Sequence, residues 1–157
     1  MNIALVAHDS RKKELKDWVK YNWQSLMSHN LYATGTTGSI IENIDINEDN
    51  TNLPENKPFK DHITRLLSGP LGGDFQIGTM IAEDKIDLLI FFCDNLIMQG
   101  HQNDISALTR LASLYNIAFA TNRTTADMIL TSPLFNNQNY HKVIPGCIDS
   151  YKHRMDN

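Results

Sequence analysis

The sequence predicts an α/β fold, a three-layer α/β/α domain built on a mostly parallel central sheet. Short apolar runs at residues 3–7, 31–34, 63–67, 87–93 and 117–121 read as strands, and the unbroken ones have the character of strands buried on both faces. Amphipathic segments separate them, and strands regularly alternating with helices specify a parallel sheet covered on both sides. A length of 157 residues, with 41% hydrophobic and 20% charged, suits one soluble domain with a continuous core.

Taken in order, residues 3–7 run into polar His8-Asp9-Ser10 and predict a strand in the middle of the sheet. Ser10 is placed to cap a helix in which Leu15, Trp18, Val19, Trp23 and Leu26 form one buried stripe. Leu31-Tyr32-Ala33-Thr34 predicts the second strand, and Gly35-Thr36-Thr37-Gly38 a small-residue turn into a helix start. Residues 42–61 turn to Asn, Asp, Glu, Pro and Lys, with too few apolar side chains to anchor a core element. They predict a polar surface insertion within a single domain of residues 1–157, carrying a short strand at 44–46.

Residues 63–67 return to apolar character, and Ser68-Gly69-Pro70-Leu71-Gly72-Gly73-Asp74 forms a glycine-rich loop before a helix over 75–83. Residues 87–93 are the strongest strand, central and parallel. Asp104 is placed to cap a helix whose Ile105, Leu108, Leu111, Ala112 and Tyr115 share a face. A strand at 117–121 follows, and Thr124 starts a helix through residue 130.

A formal net charge of -4 removes the bulk attraction that nonspecific binders of polyanions use, so nucleic acid and anionic membrane surfaces are excluded as partners. The two cysteines, Cys93 and Cys147, form neither a CxxC nor a Cys/His ligand pattern, which fits a reducing cytoplasm. No run reaches membrane-spanning length, and the apolar start is too short for a signal peptide.

In parallel sheets ligands bind beyond the carboxyl ends of the strands, which directs attention to the loops beginning at His8, Gly35, Ser68 and Asp94. The turn at 35–38 offers backbone N–H groups at a helix start together with the hydroxyls of Thr34, Thr36 and Thr37, a combination suited to phosphate. Taken alone it reads first as a plain turn, since turns rich in Gly and Thr are common. The loop at 68–74 is more specific, because its three glycines allow close backbone approach to a ligand while Pro70 stiffens it. These glycines lack the spacing of a dinucleotide fingerprint.

Asp74 reads either as a helix cap or as a general base beside a glycine-lined cavity. His8 and His101 both follow strand ends, and two imidazoles on one rim with Asp74 and Asp104 point to acid/base chemistry. Lys12, in a run with Arg11 and Lys13, reads as a solvated face and Arg154 as a tail residue; His29, His62, His141 and His153 read as surface residues.

Together, Ala4-Leu5-Val6-Ala7-His8-Asp9, Ala33-Thr34-Gly35-Thr36-Thr37-Gly38, Ser68-Gly69-Pro70-Leu71-Gly72-Gly73-Asp74, Ile90-Phe91-Phe92-Cys93-Asp94 and Ala120-Thr121-Asn122-Arg123-Thr124-Thr125-Ala126-Asp127 resemble the methylglyoxal synthase family. The blocks stand in the family's order across nearly the whole chain. The resemblance implies a lyase that converts dihydroxyacetone phosphate to methylglyoxal and inorganic phosphate, with no metal or organic cofactor, in a cytoplasmic homohexamer. The same fold also resembles noncatalytic small-molecule-binding regulatory domains attached to carbamoyl phosphate synthetase.

By this resemblance Asp74 is the base that takes a proton from the hydroxymethyl carbon. His101 handles protons on the enediol oxygens and Asp104 supports that work. His8 lines the same site. Lys12, Thr34, Thr36, Thr37, Ser68 and Gly69 match positions that hold the phosphate, Asp94 matches a further active-site aspartate, and Arg154 matches an arginine near subunit contacts that is counted with the phosphate-binding residues. Two departures stand out. Asp94-Asn95-Leu96 and His101-Gln102-Asn103-Asp104 replace the family's Asp-Pro-Leu and His-Asp-Pro-Asp, so the loop loses prolines and gains flexibility. The polar stretch between Ile41 and Ile63 also looks longer than the family's usual connection.

Overall fold

The computed structural model describes residues 1–50, 52–98 and 100–154; Thr51 in the polar stretch and Gln99 in the 94–104 loop lie outside the described residues. Five strands, β1 (Asn2–Ala7), β2 (Asn30–Ala33), β3 (Ile63–Arg65), β4 (Leu88–Phe92) and β5 (Ala118–Ala120), form one sheet in the order β3-β2-β1-β4-β5. All four pairings are parallel, with Ala7 opposite Phe92 in the central pair. The strand predicted to lie mid-sheet does so, flanked by the strongest apolar run.

The period of two along each strand divides the core. Ile3 and Leu5 of β1 join Leu15, Trp18 and Val19 of α1 (Lys12–Tyr21), Ile41 of α3 (Gly35–Glu42) and Ala126 of α6 (Arg123–Leu130) on one face. Ala4 and Val6 join Ile77 and Ile81 of α4 (Gly73–Ala82) and Ile105, Leu108 and Ala112 of α5 (Gln102–Leu114) on the other. Both faces are therefore covered, giving the three layers that the sequence predicts. Fully buried Trp18 also donates from Nε1 to Asp127 Oδ1 at 2.7 Å, fastening α1 to α6.

Local details differ from the sequence expectations. Ser10 caps nothing: a 3-10 turn at Asp9–Arg11 precedes α1, and the Ser10 hydroxyl is spent elsewhere. Asp104 sits inside the first turn of α5, behind an N-cap at His101. Asn122, rather than Thr124, caps α6, its side chain accepting from the Thr125 N–H at 3.0 Å. Residues 44–46 form no strand, and a further helix, α7 (Gly146–Lys152), follows.

The polar stretch is exposed along most of its length, yet Ile44 and Phe59 are completely buried in the α1/α3 side of the core. Two apolar anchors suffice because the turn between them is tied internally: Asp45 Oδ1 accepts from the N–H groups of Asn47 and Asn56, both at 2.9 Å. His29 likewise is buried, edge-on to Phe135 at 4.9 Å between centroids, and not a surface residue.

Candidate active site

The chain leaves β1 toward β2 but leaves β4 toward β5, so the loops after these two neighbouring strands diverge and open a crevice at their carboxyl ends. A cleft of about 710 Å³ occupies this position. Its walls include His8, just after β1, and Lys12 in the first turn of α1. Thr34, Thr36 and Thr37 come from the start of α3, Ser68 and Gly69 from the glycine-rich loop, and Asp74, His101 and Asp104 from the starts of α4 and α5. The structure thus gathers ten of the residues singled out above, contributed by separate loops.

Asp74 lies at the centre. It is 2% exposed, and its Oδ2 is 2.8 Å from His101 Nδ1, while buried Oδ1 has no protein partner. Burial raises the Asp74 pKa above its ordinary value; the hydrogen bond from His101 opposes the rise, and the nearby Asp104 charge adds to it. Asp74 lies inside the first turn of α4, whose N-cap is Gly72, so it is not the helix cap. Gly69 makes room for the pair: a Cβ there would stand 2.8 Å from His101 Cε1 and 3.1 Å from Asp74 Oδ2. Gly73 is needed for the turn itself, since a Cβ would fall 2.1 Å from the Leu67 carbonyl oxygen.

Another wall of the cleft gathers hydrogen-bond donors at a helix start. Thr34 is the N-cap of α3 with extended backbone, and its side chain makes no capping bond. The amides of Thr36 and Thr37, within the first turn, have no intrahelical acceptor and stand at the positive end of the helix dipole. The buried hydroxyls of Thr34 and Thr37 lie 3.5 Å apart beside them. Lys12 adds an ammonium to this wall, paired with Asp9. That bond holds the Asp9 carboxyl below its ordinary pKa. Sequence reading missed Asp9 as a partner, although its i,i+3 spacing to Lys12 signals the pair.

Two residues singled out from the sequence stand apart. Asp94 does not line the cleft; its carboxylate accepts from Ser10 Oγ at 2.5 Å and from the Leu96 N–H at 3.0 Å. Hydrogen bonding to Ser10 lowers its pKa. Arg154, past the end of α7, stacks over the Tyr151 ring at 4.0 Å, away from the cleft walls. Among the described residues, no three His, Cys, Asp or Glu side chains form a metal-holding group.

A parallel α/β domain whose cleft, at the carboxyl ends of its strands, is lined by a carboxylate–imidazole pair and by helix-start amides is laid out to take a small molecule. The MGS-like domain family model matches residues 14–121. The chain is 49% identical over 142 residues to a methylglyoxal synthase of Proteus mirabilis, covering 90% of this chain and 84% of that one. A methylglyoxal synthase of Coxiella burnetii is 44% identical over 98% of this chain and 96% of its own. The crystal structure of methylglyoxal synthase from Elizabethkingia anophelis superposes with a TM-score of 0.76 at 40% identity, covering 99% of this chain and 90% of that chain. The chain belongs to the methylglyoxal synthase family.

Proposed function

We propose that this protein is a carbon–oxygen lyase that converts dihydroxyacetone phosphate to methylglyoxal and inorganic phosphate. The observation that carries the reading is the Asp74 carboxylate, buried, held by His101 through one oxygen and without a protein partner at the other, beside a cradle for a phosphate. Burial makes an ionised carboxylate a stronger base, suited to a carbon-bound proton.

In the reaction, Lys12, the hydroxyls of Thr34, Thr36, Thr37 and Ser68 and the Gly69 amide hold the phosphate. Asp74 takes a proton from the hydroxymethyl carbon. The C–H electron pair forms the carbon–carbon double bond, and the carbonyl oxygen becomes an enediolate oxygen, stabilised by hydrogen-bond donors aimed at it. His101 moves protons between the enediol oxygens, and Asp104 supports Asp74 and His101 electrostatically. The enediolate then collapses: its electrons expel phosphate from the adjacent carbon, leaving an enol aldehyde that gains a proton on carbon and loses its enol O–H proton to give methylglyoxal with its methyl group. Elimination needs the bridging C–O bond out of the enediolate plane, an orientation the phosphate contacts impose. Each positioned acid or base supplies ~10²–10⁴-fold, so several groups share the acceleration.

The test is incubation of the purified protein with dihydroxyacetone phosphate. Methylglyoxal and phosphate appearing in equal amounts support the lyase; phosphate binding without turnover favours a noncatalytic regulatory module.

The reading extends to a cytoplasmic homohexamer. Leu71 and Phe75, 72% and 58% exposed, offer apolar contact area near the cleft, and exposed Arg154, stacked on Tyr151, would meet a neighbouring subunit. Light scattering on the eluted protein tests the assembly: a sixfold mass supports it and a monomer mass overturns it.

A further inference from the structure

His8 is 5% exposed and lines the cleft, and its ring is fixed edge-on to Phe91 with centroids 5.0 Å apart. Its Nδ1 receives the backbone N–H of Asp94 at 2.7 Å, and its buried Nε2 has no protein partner. An amide nitrogen only donates, so Nδ1 must present its lone pair; a proton there would face the amide hydrogen across 2.7 Å. The Asp94 carbonyl, 3.2 Å from the same nitrogen, is the acceptor that the other tautomer would use. The shorter contact, from a hydrogen that cannot leave, decides between them. The assignment follows from the hydrogen-bond network.

What holds the Asp94 amide in place is its own side chain. The carboxylate takes Ser10 Oγ at 2.5 Å and the Leu96 N–H at 3.0 Å, clipping the loop after β4 to the turn after β1. The clip matters more in a loop that lacks prolines at Asn95 and Asn103.

We propose that Ser10 and Asp94 are positioning residues that lock His8 as its Nε2–H tautomer, making it a hydrogen-bond donor to an oxygen of the bound substrate. That last part rests on the reading of the cleft as the dihydroxyacetone phosphate site; the tautomer does not. Asp94 thus acts through its amide and through the clip, without touching substrate.

Nitrogen-15 NMR of imidazole-labelled protein without substrate tests this, with the His8 signals identified by their loss in His8→Gln. The parent protein is expected to show Nε2 protonated and Nδ1 bare at neutral pH. An Nδ1–H tautomer or an imidazolium in the parent overturns the proposal, whatever reaction the cleft performs. Ser10→Ala, with unchanged circular dichroism, is expected to populate the second tautomer, and Ser10→Thr to restore the first. If the two tautomers become equally populated, the substrate KM rises about twofold through the competent fraction alone. His8 signals identical to the parent's in both Ser10→Ala and Asp94→Ala would overturn the role of the clip.

Discussion

Asp74 and His101, from the starts of adjacent helices, meet at 2.8 Å between Oδ2 and Nδ1, and Gly69 is the residue whose missing side chain lets them do so. The base is therefore placed by packing as much as by its own hydrogen bond.

Gly69→Ala should disable the site while leaving the fold intact. The added methyl group would stand 2.8 Å from His101 Cε1, so the ring and the carboxylate must part. A displacement of about 1 Å in a catalytic group costs on the order of 10²-fold, and kcat should fall by that order with little change in thermal midpoint. Steady-state kinetics beside a melting curve check this, and parent-like kcat would refute the spacing role of Gly69.

Asp74 should also show its burial in pH dependence. Its pKa is raised above the ordinary value chiefly by desolvation, and in the proposed reaction the ionised form is the base. The acid limb of kcat/KM should accordingly rise with pH around a midpoint above the ordinary carboxylate value. The sign for stability is the reverse: a carboxyl with raised folded pKa contributes stability while protonated, and loses that contribution as pH rises through the folded value. Asp74→Asn should hence raise the melting temperature at neutral pH, and the difference should shrink in acid. Melting curves across pH measure this directly.

Lys12 is paired with Asp9, whose side chain is 92% exposed, and a phosphate bound as proposed would compete with that carboxylate. Asp9→Asn should tighten inorganic phosphate binding by up to about fivefold, the range of an exposed ion pair. The gain should diminish with added salt. Titration calorimetry at two ionic strengths checks it; weaker binding in the variant would show that Asp9 orients Lys12 and does not compete.

Phe59 gives the polar stretch a core anchor. Completely buried, its truncation in Phe59→Ala should cost about 3–5 kcal/mol, whereas Leu53→Ala, at a half-exposed site, should change stability by no more than ~0.5 kcal/mol. Denaturant unfolding of the two variants measures the contrast.

The sheet was legible because parallel strands buried on both faces leave unbroken apolar runs, and residues 3–7 and 87–93 are such runs. The cleft followed from the loops at the strand ends, and the resemblance supplied roles that spacing alone left open for Asp74 and Lys12. What was not legible depends on partners distant in sequence. Ser10 has the right type and place for a cap, but Asp94, 84 residues away, takes its hydroxyl. Asp94 itself looks like a site carboxylate until β1 and β4 are set side by side. Phe59 lies among charged and polar residues with no periodicity, so only the folded chain reveals that the core reaches it.

The most direct test of the central claim compares the parent with Asp74→Asn in the dihydroxyacetone phosphate assay, with inorganic phosphate affinity measured on both. Turnover is expected in the parent, with a loss of ~100-fold or more in the variant and phosphate affinity that is not weakened. Full turnover by Asp74→Asn would contradict the assignment of the base, and absence of turnover in a parent that still binds phosphate would contradict the reaction itself.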